Sequence, residues 1–149
     1  MQYLVNQYAP GHALYPSDPA KRALVDRFLF FDAGTLYPAQ AAVVYPQLLH
    51  GTDPDPEKVQ AYKDKLVLLD TLLGGNKYAA GDTLTLADLA LLSTISTVAC
   101  IDFDLSDYPN VTKWLHGLEA ELPYHKEVNV ENGVVPLKQW LAASKAKQA

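Results

Sequence analysis

Four histidines, one cysteine, two serines one helical turn apart and a run of aspartates are the residues of this 149-residue chain whose types could do chemistry. Their spacing withholds each reaction in turn. His12, His50, His116 and His125 show no i, i+4 pairing and no glutamate at a ligand offset, which a helical zinc site needs. They are therefore read as surface residues, and no metal is expected. Ser93 and Ser96 lack the glycine-flanked turn that lifts a nucleophilic serine out of a sheet. Cys100 has no adjacent cation to stabilise a thiolate, and as a lone cysteine it cannot form a disulfide framework or a cysteine-based zinc cluster. Asp102, Asp104 and Asp107 begin like a calcium loop but lack its glycine and closing glutamate, so they read as loop and cap residues. Asn110-Val111-Thr112 is a glycosylation triplet, but with no leader segment it has no route to the modifying compartment and reads as a helix start. No catalytic residue is expected within the chain.

The elements that would position a binding site are helices. Val, Ile and Thr never alternate with polar residues over a strand's length, and no Asn-Gly or Asp-Gly hairpin pair occurs. Residues 1–8 have helical composition without an N-cap and run into the breaker Ala9-Pro10-Gly11. Asp18 before Pro19 caps a long helix with Leu24, Phe28, Phe31 and Thr35 on one stripe and Val25, Leu29 and Leu36 beside it, bent at Gly34, Pro38 and Pro46. Asp55-Pro56 starts a second, with Val59, Tyr62, Leu66, Leu69 and Leu73 inward and Gly74-Gly75 at its end. Thr85 and Asp88 form a reciprocal capping box flanked by Leu84 and Leu89 as a hydrophobic staple. The helix it opens, Leu86 to about Cys100, is apolar nearly all round and should be the buried core helix, with Asp88 a buried carboxylate. Tyr108-Pro109 begins a helix with Trp114, Leu115, Leu118 and Leu122 inward. Two short helices, about Pro123 to Asn132 and Pro136 to Ala146, follow on either side of Gly133 as a C′ residue.

Composition narrows the classes further. With 49% apolar residues and a formal charge of −5, the chain describes an ordinary soluble globular domain. At this length about 68–70% of the unfolded surface is buried, so no staple is required. Only two arginines and few clustered lysines argue against nucleic acid or an anionic membrane as partner. No apolar run approaches the roughly 18 residues of a membrane span, and a cytoplasmic location is expected.

The order of these signals resembles the C-terminal all-helical domain of cytosolic glutathione transferases, and most closely the arthropod delta and epsilon classes. The resemblance rests on Leu14-Tyr15-Pro16 with Asp18-Pro19, Lys21 to Asp26, Phe31-Asp32-Ala33-Gly34-Thr35-Leu36-Tyr37 and Tyr45-Pro46-Gln47-Leu48. It continues through Tyr78 to Asp82, the box Leu84 to Leu89, and Phe103 to Val111 with Trp114. It implies an all-α helical bundle over residues 11–149, preceded at 1–10 by the end of the N-terminal domain's last helix and a linker.

In that family an N-terminal thioredoxin-like domain binds glutathione and supplies the catalytic hydroxyl. None of its motifs is among these residues, so the resemblance implies that this chain alone does not activate glutathione. What it implies instead is the electrophile-binding half of a transferase (EC 2.5.1.18) that joins glutathione to hydrophobic electrophiles in detoxification. Glutathione would be a co-substrate of the complete enzyme, no other cofactor is implied, and the complete protein would be a homodimer. The implied pocket residues are Phe30, Phe31, Gly34 and Tyr37 on the long helix, with Trp140 and Leu141 as a lid. By spacing alone these aromatics fit core and helix-kink packing at least as well, and Trp140 could dock the tail. Helical domains of this kind also occur as non-catalytic interaction or ligand-binding modules, the alternative reading of the chain.

Overall fold

A computed structural model describes residues 1–147 and contains no β-strand among them, only an isolated antiparallel bridge between Tyr78 and Gly81. The helices are α1 (Gln2–Tyr8), α2 (Pro19–Phe31), α3 (Tyr37–His50), α4 (Pro56–Leu73), α5 (Leu86–Thr97), α6 (Pro109–Glu121) and α7 (Val135–Ala146). An i→i+5 (π) turn at Asp32–Leu36 joins α2 to α3 without a break, and a second π-helical stretch at Lys126–Val134 leads into α7. The domain reading of 11–149 extends two residues beyond those described.

Local chemistry explains where most helices begin. Asp18 accepts a hydrogen bond from the Lys21 N–H (2.9 Å), and Asp55 one from the Glu57 N–H (2.8 Å). Each aspartate precedes a proline that has no N–H to leave unpaired. α4 ends on Gly74 in the left-handed conformation, φ 54°, as its position after the last apolar residue predicts. α3 ends on Gly51, also left-handed at φ 64°. A Cβ there would lie 2.7 Å from the Ser144 carbonyl oxygen, so the glycine also lets α7 approach.

α6 is capped from a distance. Tyr108 at its start offers no side-chain cap, and the Asp70 carboxylate of α4 accepts instead from the N–H groups of Asn110 (2.7 Å) and Val111 (3.0 Å). The Asn110 side chain returns the contact, donating to the Asp70 carboxylate and carbonyl.

The core forms around α5, buried at Leu86, Ala87, Asp88, Leu91, Leu92 and Ile95. Tyr62, Leu66, Leu69 and Leu73 of α4 and Trp114 and Leu118 of α6 close on it, with Val25, Phe28 and Leu36 from the bent helix. A smaller cluster of Val44, Leu48, Cys100 and Val134 fixes α7. The capping box forms as expected, and its acid does more than cap. Asp88 Oδ2 accepts from the Thr85 N–H (2.9 Å) and hydroxyl (3.0 Å), while Oδ1 accepts from the Ala79 N–H (2.7 Å) and the Trp114 indole N–H (3.0 Å).

Three expectations are corrected. The core helix leaves α geometry at Thr97 and closes with a 3-10 turn, Val98–Ile101, ended by Asp102 in the left-handed region. Gly133 is not a helix-ending C′ residue and does not separate two helices. Its φ is not positive, and a Cβ on it would lie 3.3 Å from the Val128 carbonyl oxygen, a tight approach inside the π-helical stretch that runs on into α7. His125, read as surface, is 5% exposed because it sits at the turn where the chain folds back after α6.

Replacing Asp88 with alanine strands three buried N–H donors, from Ala79, Thr85 and Trp114. At about 1–3 kcal/mol for each unpaired group, the unfolding free energy should fall by about 3 kcal/mol or more. Thr85→Ala removes one hydroxyl and should cost about 1 kcal/mol. Urea unfolding followed by circular dichroism measures both, and equal losses would mean that the carboxylate serves only as a helix cap.

Candidate functional site

The π turn sets the site's geometry. Pro38 has no N–H for the preceding turn, and the helix widens just before it, with the Tyr37 N–H donating to the Asp32 carbonyl. Five residues, Asp32–Leu36, fill the turn, and the two phenylalanines just before it point about 100° apart as neighbours on a helix do. Phe31 packs half-buried on the main core, while its neighbour Phe30 is 76% exposed. Gly34 faces open space, since nothing lies within 4 Å of where a Cβ would be. Tyr37 is largely exposed, and its hydroxyl meets that of Tyr45 at 2.6 Å, two turns along the same face. That hydrogen bond first, and burial second, hold the Tyr45 phenol above its ordinary pKa, so Tyr45 keeps its proton.

Of the six residues singled out from the sequence, Phe30, Phe31, Gly34 and Tyr37 thus lie around one helical bend, with only Phe31 committed to the core. Trp140 and Leu141 lie on α7. Leu141 packs into the smaller cluster with Val44 and Leu48, whereas Trp140 is 50% exposed. No hydrogen bond or ring contact joins Trp140 to the four residues of the bend among the described residues. Two cavities, of about 500 and 370 Å3, lie elsewhere and are lined by none of the six.

Sequence reasoning passed over one charged group at the bend. Asp32, the first residue of the π turn, has a buried carboxylate oxygen, Oδ1, without a partner. Burial raises its pKa above the usual carboxylate range, and the Thr94 side chain offsets part of the rise. Nothing in the run Phe31-Asp32-Ala33 marks this residue, because the widened turn that tucks it inward is set by packing. Thr85 and Asp88 stand as read, in a structural role. Burial pushes the Cys100 thiol up, which disfavours the thiolate that a nucleophile would need. No group of three or more His, Cys, Asp or Glu side chains that could hold a metal occurs among the described residues, and none of their helices is long and apolar enough to cross a membrane.

Comparison with known proteins accords with this architecture. Residues 40–121 match the family of glutathione S-transferase C-terminal domains. A delta-class glutathione transferase of Nilaparvata lugens is 40% identical and superimposes with a TM-score of 0.87 over 96% of this chain and 67% of that one. A Bombyx mori glutathione transferase is 33% identical, with a TM-score of 0.85 over 93% of this chain and 65% of that one. Glutathione transferase E6 of Drosophila melanogaster is 33% identical, with a TM-score of 0.82 over 97% and 66%. The chain therefore spans about two thirds of the length of these relatives.

An acid with a raised folded pKa binds its proton more tightly folded than unfolded, so stability falls as pH climbs from the unfolded pKa, about 3.9, through the folded one. Asp32→Asn keeps the shape without the charge. Its melting temperature should exceed that of the wild type at pH 7, with the gap closing as pH falls toward 4. Thermal scans across that range check this, and an unchanged or reversed gap would mean that the Asp32 anion is stabilised by its surroundings.

Proposed function

The chain belongs to the glutathione S-transferase C-terminal domain family, and on that premise we propose that it is the electrophile-binding part of a delta/epsilon-like glutathione transferase. In this reading it contributes walls of apolar surface against which a hydrophobic electrophile is held while glutathione attacks from a thioredoxin-like partner domain. The observation that carries it is Phe30. A large aromatic side chain is left 76% exposed one turn from Gly34, whose missing side chain leaves the backbone approachable. Tyr37 continues the same surface, and Trp140 with Leu141 supplies a lid from α7. Phe31 supports the wall from behind.

The domain's part in catalysis is then positional. Holding two reactants in register removes much of the entropy cost of a bimolecular step, and it requires no titrating residue at the wall. The hydrogen-bonded Tyr37 and Tyr45 hydroxyls fit that role as polar points on the wall. The full enzyme would be cytoplasmic, act in detoxification and work as a homodimer, with glutathione as co-substrate.

Two measurements test the proposal. The 149-residue chain mixed with glutathione and a chromogenic aryl halide should give no turnover above the uncatalysed rate. Titration with the same aryl halide should quench tryptophan fluorescence saturably, and Phe30→Ala should weaken that binding several-fold. Because Phe30 is exposed, the substitution should leave stability within about 0.5 kcal/mol. Binding that is unaffected by Phe30→Ala, or a stable complex with another protein in place of ligand binding, would favour the interaction-module reading.

A further inference from the structure

A cavity of about 370 Å3 lies between α3, α4 and the loop 101–108, away from the bend and its aromatics. We propose that it binds an amphipathic organic amine, with the ammonium held by acceptors at its mouth and the hydrocarbon part on its apolar walls. Its volume equals that of about a dozen waters at liquid density, enough for a small aromatic or branched aliphatic group.

The walls are Val43 of α3, Val59 of α4, and Ile101 and Phe103 of the loop. Phe103 is held rigidly, its ring edge-to-face with the buried Tyr62 at 5.2 Å. Two polar side chains more than nine-tenths buried line the same space, Gln47 at 7% exposure and Tyr108 at 4%. The Gln47 amide nitrogen is used, donating to the Val43 carbonyl, which leaves its carboxamide oxygen as a free acceptor. The Tyr108 hydroxyl makes no hydrogen bond among the described residues. It is also absent from the sealed, unpartnered atoms, so its oxygen opens onto the cavity that the residue lines. Both oxygens are thus open to a donor that enters the cavity.

The charges fix the sign of that ligand. Asp102, Asp104 and Asp107 stand at the rim against one lysine of the lining, Lys63. Lys138 already neutralises Asp102 at 2.6 Å. Asp104 is held below the usual carboxylate range, mainly by hydrogen bonds from Ser106, and so stays ionised. Burial raises the Tyr108 phenol, and Asp107, Asp64 and Asp104 add to the rise, so these carboxylates project their field onto it. The phenol therefore remains protonated and able to accept. The lining carries three carboxylates against one lysine, together with the Gln47 carboxamide oxygen and the Tyr108 hydroxyl as further acceptors, and an ammonium offers three N–H donors and a positive charge. A carboxylate or phosphate ligand would meet repulsion there.

The test uses 2-phenylethylamine as probe, with its neutral analogue 2-phenylethanol and its anionic analogue phenylacetate as controls. Each is titrated into the full 149-residue chain while backbone amide resonances are followed by NMR. The amine should give saturable shifts at Gln47 and across 101–108. It should bind at least tenfold tighter than the alcohol, a difference of about 1.4 kcal/mol, and phenylacetate should give no shifts there. Asp107→Asn, at an exposed position, and Tyr108→Phe, which deletes only a hydroxyl, should each weaken amine binding several-fold while the unfolding curve stays in place. Four outcomes overturn the proposal: equal affinity for amine and alcohol, shifts confined to Phe30 and Trp140, binding indifferent to both variants, or no saturation by about 10 mM.

Discussion

One carboxylate joins three parts of this domain. Asp88 draws together the loop before α5 through the Ala79 N–H, the helix start through Thr85, and α6 through the Trp114 indole. Burying an anion is costly unless its lone pairs are filled, and here four donors fill them. The same carboxylate also sets the register of α5 against α6. A slip of either helix by one residue would break an indole contact made 26 residues away in sequence. Asp70 repeats the device one turn away along α6, where an acid on α4 closes that helix's start. α6 is thus held at Trp114 by Asp88 and at its N-terminus by Asp70, and both contacts are charge-assisted hydrogen bonds rather than bulk packing alone.

With α5 fixed, the long bent helix packs on it through α2 and the π turn, and on α4 and α7 through α3. Val25 and Phe28 dock on one side of the bend, and Leu36, Val43 and Val44 on the other. The π turn lets both halves reach the core despite the prolines. It changes the rotational phase of the helix by one residue, so Phe31 and Leu36 can both turn inward while Phe30, Gly34 and Tyr37 remain outside. The exposed aromatic surface is therefore a consequence of how the helix satisfies its core contacts, and not an independent addition to the surface.

Much of this was legible locally. Asp18-Pro19, Asp55-Pro56, Gly74 and the Thr85–Asp88 box are signals carried within four residues, and each element boundary they mark is where the structure has it. The stripe of the long helix was read less well. Leu24 was grouped with Phe28 and Phe31, yet it is 43% exposed, because the face that α5 covers is centred on Val25 and Phe28. The features that escaped depend on distant partners. Asp70 lies 40 residues from the helix it caps, and His125 and the Asp32 Oδ1 atom are buried by the path of the chain rather than by their neighbours in sequence. Gly133 carried a misleading local signal, since a glycine after polar residues fits a helix end as well as it fits a crowded π turn.

Adjacent helical residues differ by about 100° in direction, so an error of one residue in phase exchanges core for surface. The three-residue step from Phe28 already places Phe31 on the inward stripe and Phe30 off it, whereas the facing of Gly34, Leu36 and Tyr37 follows from the phase reset within the five-residue turn. The family resemblance marks this segment of helix, and burial divides it into one residue packed on the core, Phe31, and three exposed ones. Burial shows what each side chain does for the fold, and the aromatics that the fold leaves out are the ones with surface to offer a ligand. By that measure Phe30, Tyr37 and Trp140 are the exposed aromatics of these segments, while Phe31 and Leu141 pack on the two core clusters.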